Sequence, residues 1–560
     1  MTNARASRRR VQIVMVCAIT AIITLVATRD APEPILPSAD PGAFDGIRAS
    51  EELRRFVADG TPRAVATPGH DAARERLRTR LTEIGSGGTA LFTEQTFFAR
   101  GWNRTAVEMT NILVRVLGVS AEHRPPFVLL SAHYDCVPMG PGAGDNGAGV
   151  ACALEIIRAL TAVPPPNDVF VLFCDGEETG LQGARAFGLE HPVWPSIGAV
   201  VNLDARGSDG PVYVFEVGAD GPAHAALLSA LNTPARTTSL AAEAYRRMPN
   251  GTDFTVYLRG GRPGFNLAFV GSPRNYHTAE DTIANLDPRT MNQMGLSALA
   301  FVRALSGGQS PMPTPSEFAQ WSTPQTAPPI QSAVWFDLFG FFIVRWPAWL
   351  SNVAIIGSFV AMAITLRSLR RASVASLIGS IVGSAGAVVG LIVAAAAGTF
   401  ISFALNRLNL VEMPWPIQSI WWGDVSLLLV GFAAVVIPSR VIARHRITRR
   451  FSPCASWDGW FGGWFVMIAL VAVIAWFAPG AVHPLLVPIV VAVALTLLAL
   501  RRRSLSPDWC AVGSGIAAVA MWAPLEPAFA DAFGLSLGGF TAVRGALVMI
   551  ACRPLCDPIE

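Results

Sequence analysis

From Trp349 to the C-terminus the chain is a succession of long apolar runs, and this limits what it can fold into more than any other feature. The runs are Trp349–Leu366, Val374–Leu405, Trp421–Ile437, Gly459–Ala478, Leu485–Leu500, Trp509–Ala523 and Leu535–Ile550, the last carrying Arg544. A spanning helix needs about 20 apolar residues. Inside a bilayer, helices and closed barrels alone satisfy every backbone amide. Residues 333–560 are therefore expected to form a multi-span helical membrane domain. A further run, Val11–Ala27, follows Arg5, Arg8, Arg9 and Arg10. No A-x-A cleavage pattern follows it, so residues 1–40 read as an uncleaved N-terminal anchor rather than a signal peptide.

Arginine placement orients the spans. With the N-terminus cytoplasmic, the loops Arg367–Ser373, Arg440–Arg450 and Arg501–Ser504 fall inside, and these are the arginine-rich ones. The outward loops near Asn406–Gln418 and Pro479–Pro484 hold only Arg407. This is the positive-inside pattern, and it sends the polar region after the anchor out of the cytoplasm. Glu412, Asp424, Asp458 and Asp508 sit at span ends. Mid-membrane acids would suggest transport, and none is seen. The bundle therefore reads as an anchor or assembly domain rather than a transporter served by an accessory outer domain.

Composition agrees. Hydrophobic residues make up 52%, charged residues 15%, and mean hydropathy is +0.42, against roughly 25% charged in a soluble domain. At 560 residues several domains fit. Lysine is absent and the net charge is +3, with no basic stripe interleaved with aromatics. Nucleic acid is excluded as a partner on that ground. The eight cysteines show no paired spacing, and Cys152 and Cys174 read as small core residues.

Residues 41–305 alternate short β-rich runs with helical patterns, which predicts an α/β domain with a mostly parallel sheet. The strand candidates are Ile112–Leu117, Phe127–Ser131, Val169–Cys174, Ala199–Leu203, Val212–Val217 and Asn266–Val270. Helices are expected over Gly147–Leu160 and Thr290–Leu305 from their apolar spacing. Residues 306–332, rich in Pro, Ser, Thr and Gln, read as a linker.

Three of these strands run into metal-ligand residues. The first leads to His133 and Asp135, the second to Asp175, Glu177 and Glu178, and the third ends at Asp204. Open α/β sheets gather ligand sites at the carboxyl ends of their strands. Asp145, in the turn Gly142–Gly149, and His277, after the last strand, join the set. His133 and Asp135, two apart in extended chain, point the same way, so the carboxylate can orient the imidazole. Adjacent Glu177 and Glu178 point apart, so one can bind metal while the other stays free as a base. Histidine and carboxylate without cysteine suit zinc, with manganese or cobalt behind it. Asp145, Glu178 and Asp204 with one hydroxide would balance two divalent cations, which a partly desolvated cleft requires.

The set Ser131-Ala132-His133-Tyr134-Asp135, Gly144-Asp145-Asn146-Gly147, Asp175-Gly176-Glu177-Glu178-Thr179-Gly180, Asn202-Leu203-Asp204 and Tyr276-His277-Thr278 resembles the co-catalytic zinc aminopeptidase family. That family includes aminopeptidase Y-like and glutamate carboxypeptidase-like enzymes. Val334-Trp335-Phe336-Asp337-Leu338 and the order of anchor, polar domain and bundle resemble its membrane-embedded branch, the metallopeptidases of vacuole and endoplasmic reticulum. The resemblance implies a zinc-exopeptidase α/β/α sandwich holding two zinc ions. His133 and Asp204 would bind one, Glu178 and His277 the other, and Asp145 would bridge them. Glu177 would be the general base, Asp135 would orient His133, and Tyr276 would donate to the oxyanion. Asn146 departs from the second acid many relatives carry, and leaves the bridging position intact.

The function expected is a membrane-anchored aminopeptidase acting on peptides outside the cytoplasm. Two alternatives share the motifs: a one-zinc glutaminyl cyclase-like acyl transferase, and a non-catalytic receptor or scaffold that keeps the fold. His70, His123, His191 and His224 have no motif context and read as structural or surface residues. Asp253 and Asp281 read either as helix caps or as neighbours of the His277 region.

Overall fold

A computed structural model describes residues 34–218, 221–231, 233–248, 251–308, 333–369, 456–502 and 505–525, with a few isolated positions besides. The chain divides into two compact units, Asp30–Trp346 and Met1–Arg29 with Pro347–Glu560.

The first unit is built on an eight-stranded mixed sheet in the order β1-β2-β4-β3-β5-β8-β6-β7. Its strands are β1 (Ala90–Arg100), β2 (Ala106–Val116), β3 (Phe127–His133), β4 (Val169–Cys174), β5 (Ile197–Ala205), β6 (Asp209–Val217), β7 (Arg236–Thr237) and β8 (Gly264–Gly271). The central strands β4, β3, β5 and β8 are parallel, while β2 and β6 join antiparallel on either side. Strands β3, β4 and β5 are buried along their whole length, which is why they read as continuous apolar runs without alternation.

On one face pack α1 (Gly46–Val57), α2 (Pro68–Gly85), α3 (Gly149–Ala162) and α8 (Pro288–Ser306), in a core that includes Leu53, Leu154, Phe265 and Phe301. The other face buries Phe187 of α4 (Gln182–Glu190) and Phe254 and Tyr257 of α7 (Asp253–Arg259) against Leu129 and Leu172. The result is the expected α/β/α sandwich. Between these helices run α5 (Gly221–Leu231) and α6 (Ser239–Tyr245). The helix starts follow ordinary capping chemistry. Thr67 accepts from the His70 amide at 3.3 Å ahead of Pro68, and Asp287 accepts from the Arg289 amide at 2.9 Å ahead of Pro288.

Register sets the site. His133 lies opposite Cys174, and Asp204 opposite Ala268. The residues following β3, β4, β5 and β8 therefore emerge along one edge of the sheet. Gly176 sharpens the turn after β4: its φ is +69°, and a Cβ there would stand 2.5 Å from Met109 Sδ.

A hairpin, β9 (Ala333–Leu338) and β10 (Phe342–Pro347), follows the linker. Through Trp346 it falls with the sheet unit, not with the apolar region to which the sequence division at 333 assigns it. Polar contacts explain this. Asp337 accepts from Arg236 Nε at 2.6 Å and from the Thr237 amide at 3.0 Å, and Trp335 Nε1 donates to Thr237 Oγ1 at 3.0 Å.

In the second unit, Ala348–Leu369, Trp460–Phe477 and His483–Arg501 are long and apolar enough to cross a membrane. They correspond to three of the expected runs and make this a membrane protein. A shorter helix spans Pro507–Trp522. Trp460 Nε1 donates to Thr496 Oγ1 at 3.0 Å, tying two of these helices. The runs Trp421–Ile437 and Leu535–Ile550, and nearly all of Val11–Ala27 and Val374–Leu405, lie outside the described residues.

Candidate metal centre

Five side chains converge above the carboxyl ends of β3, β4, β5 and β8 in two overlapping triads: His133, Asp145 and Asp204, and Asp145, Glu178 and His277. Asp145 belongs to both through different oxygens. Its Oδ1 is 3.2 Å from His133 Nε2, and its Oδ2 is 3.0 Å from His277 Nε2. Asp204 Oδ1 stands 3.8 Å from His133 Nε2, and Glu178 Oε2 stands 3.2 Å from His277 Nε2.

The donors fit a cation better than they fit one another. His133 Nε2 and Glu178 Oε1 are buried and make no hydrogen bond, an arrangement that costs free energy unless something else satisfies them. Burial and the neighbouring Asp145 charge push Glu178 up to about 7. Burial also raises Asp204. Asp145 goes the other way: His133 and His277 on its two sides overcome its burial and hold it low. Crowded buried carboxylates with imidazoles pointing inward are the donor set of a divalent metal centre.

The surroundings hold these donors in place. Asp135 approaches His133 Nδ1 at 3.4 Å and accepts from the Glu177 and Glu178 amides at 3.1 and 3.2 Å. It thus fixes both an imidazole and the turn that carries the two glutamates. Asp281 accepts from the Gly144 and Asp145 amides at 2.6 and 3.1 Å. Of the two readings open from sequence, it takes the one near the site, anchoring the Asp145 backbone. Asn146 donates to Leu203 O at 2.8 Å and caps α3 through the Gly149 amide at 3.1 Å, so an amide in place of an acid serves the fold.

Two positioning residues have no sequence signal. Arg63 is fully buried and donates through Nε to Tyr134 O at 3.0 Å and through Nη2 to Gly142 O at 2.9 Å. His70, read from sequence as structural or surface, is buried 2.7 Å from Asp175. Asp175 also accepts from Tyr134 Oη and the Thr110 amide, both at 2.7 Å. Arg63 works through distant backbone carbonyls and His70 through a distant side chain, and neither carries a local motif. His123 pairs with Asp168 at 2.7 Å, away from the centre.

Glu177 and Tyr276 complete the site. Burial pushes the Glu177 carboxyl well above the usual range; His133 pulls it back, and the charges of Asp204, Glu178 and Asp253 add to the rise. The Tyr276 ring stacks on His277 at 3.7 Å between centroids, and burial raises its hydroxyl well above the ordinary value. Asp253 is not a cap. It is 1% exposed, both oxygens lack a hydrogen-bond partner, and burial pushes it up to about 7.

A mixed α/β sheet with histidine and carboxylate donors gathered over its carboxyl edge defines an α/β/α domain carrying a candidate metal centre. Residues 111–302 match the profile of peptidase family M28. It is similar to the vacuolar membrane protease of Eremothecium gossypii, 30% identical over 51% of this chain and 28% of the relative. It is likewise similar to endoplasmic reticulum metallopeptidase 1 of Mus musculus, 30% identical over 58% of this chain and 36% of the relative. The chain thus spans about a quarter to a third of the length of the curated relatives it matches. Among solved structures, an Acidobacteriales bacterium glutaminyl cyclase aligns with 22% identity and a TM-score of 0.38, covering 50% of this chain and 99% of that one. A Zn-dependent exopeptidase from Parabacteroides distasonis aligns with 20% identity and a TM-score of 0.38, covering 47% and 99%.

Proposed function

We propose that this chain is a membrane-anchored aminopeptidase with two zinc ions and a catalytic domain, 41–305, on the extracytoplasmic side. The observation that carries the two-ion reading is the sharing of Asp145 between two triads through separate oxygens. His133 and Asp204 would hold one ion, Glu178 and His277 the other, and Asp145 would bridge. When bound, such a pair supplies an acidified shared water and polarises the scissile carbonyl.

The chain's own groups do the rest. Glu177 takes a proton from the attacking water and returns it to the departing amine. Its burial, which favours the protonated carboxyl, suits it to hold that proton between the two transfers. Tyr276 donates a hydrogen bond where charge develops on the carbonyl oxygen. Asp135 keeps His133 in one orientation and the glutamate turn in one shape. Peptides are the substrates, and the lipid bilayer is the second partner.

Elemental analysis with a kinetic variant tests this. Wild type is expected to hold two zinc ions per chain. Glu177→Gln keeps both ions and loses turnover by at least about 100-fold, the scale of a general base. One ion per chain with cyclisation of N-terminal glutamine would replace this reading with the cyclase one. Near wild-type hydrolysis in Glu177→Gln would remove that residue from the chemistry.

A further inference from the structure

After Asp204 the chain leaves β5 in a closely held segment. The Arg206 amide donates to Phe269 O at 2.9 Å and the Ser208 amide to Gly271 O at 2.9 Å. A Cβ at Gly207 would stand 2.0 Å from Gly271 O. The Arg206 backbone is therefore fixed, and its side chain starts from a defined point. Its Cζ lies over the Tyr276 ring, 5.9 Å from the centroid. The same ring stacks on His277. One aromatic ring thus contacts both a guanidinium and a candidate metal ligand.

This guanidinium forms no ion pair or hydrogen bond with the described residues, and its Nε is buried. The side chain as a whole is half-buried, and leaving its buried Nε unpaired costs free energy. Asp145, Glu177, Glu178, Asp204 and Asp253 all stand in or beside the centre, and none of them takes it. The ring contact returns only part of the cost. A cation on a fixed backbone beside this centre, left unpaired by the described residues, can receive an anion, and guanidinium matches carboxylate in shape and charge.

We propose that Arg206 binds a carboxylate of the substrate, so that the enzyme selects peptides with a carboxylate on a residue flanking the scissile bond. This rests on the peptidase reading above and adds a substrate class to it. Two sources share that chemistry: an acidic side chain, and the free C-terminal carboxylate of a very short peptide.

The full-length, zinc-loaded protein in detergent or nanodiscs would be assayed with three matched peptide pairs. One pair has Glu or Gln on the amino side of the scissile bond, and a second has them on the carboxyl side, all C-terminally amidated. The third is a neutral dipeptide, free or amidated. Wild type should favour the carboxylate member of one pair by at least about tenfold in kcat/KM, the scale of a charge-assisted hydrogen bond. The pair that responds identifies the source. Arg206→Met should bring that ratio close to one, and Arg206→Lys should keep part of it.

A wild-type ratio near one in every pair would overturn the proposal without any variant. A ratio that survives Arg206→Met would overturn it as well, because a purely packing role on Tyr276 lowers both members equally. Hydrolysis of none of the peptides by zinc-loaded wild type would instead sink the peptidase reading, and this inference with it.

Discussion

At the scale of single residues, the centre depends on carboxylates that are not donors. Asp281 binds the two backbone amides that lead into Asp145, so it decides where the Asp145 carboxylate stands. Groups in that role are typically worth about 10–100-fold in metal affinity. Asp281→Ala is therefore expected to weaken zinc retention by about that factor in a chelator competition, with the fold kept. Unchanged zinc affinity would mean that the turn is held by other contacts. Asp281 is only half legible in the sequence: its position near His277 is visible, its partners 136 and 137 residues away are not. The five donors are easier to anticipate, because each lies at a strand end or in the turn opening a helix, and strand ends converge in a parallel sheet. Arg63 and Arg206 carry no such signal. What matters about each is whether a partner exists in space, and no spacing encodes that.

At the scale of elements, the turn from Asp175 to Glu178 is held from below by α2. His70, in the first turn of that helix, contacts Asp175, and its ring stacks on Tyr134 at 5.2 Å. Burial alone would lower the His70 pKa, but the hydrogen bond and charge of Asp175 outweigh it, so the pKa is raised above 6.5. A raised folded-state pKa fixes the sign. The protonated pair contributes its full stability below about pH 6.5 and loses it as pH rises through the folded value. His70→Gln, which keeps a donor without the charge, should cost on the order of 1–3 kcal/mol at pH 6. The gap to wild type should narrow by pH 9. Equal gaps in denaturation curves at both pH values would mean that His70 is neutral throughout. Elements themselves differ in legibility. The buried strands β3, β4 and β5 announce themselves as apolar runs. Strand β1 does not, because it is an edge strand with mostly polar, exposed or half-buried positions. β2 is read only in its second half, since its first residues pair with β1 alone.

At the scale of the whole molecule, the hairpin β9–β10 changes where the sheet unit ends. In sequence the aromatic run Val334–Leu338 stands just ahead of a spanning segment, and it is easily grouped with the apolar region that follows. In space Trp335 is fully buried. Its amide donates to Ser239 Oγ at 3.1 Å, and Ser239 Oγ donates back to Trp335 O at 3.0 Å. Phe336 bridges antiparallel to Thr238, which continues the sheet edge beyond β7. The hairpin therefore covers an edge that would otherwise offer unpaired backbone groups. β10 ends at Pro347 and the first apolar helix begins at Ala348, with no residue between them. A fragment of residues 34–308 lacks Trp335 and the Asp337 carboxylate that Arg236 and Thr237 bind, whereas 34–346 keeps both. Removing a buried Trp side chain costs about 3–5 kcal/mol, which for a domain of this size lowers the melting temperature by roughly 10 °C. The shorter fragment should melt lower by at least that amount, or fail to fold, and Trp335→Ala in the longer fragment should reproduce most of the loss. Equal melting of the two fragments would show that the sheet is complete without the hairpin, and that residues 333–346 belong energetically to the membrane region.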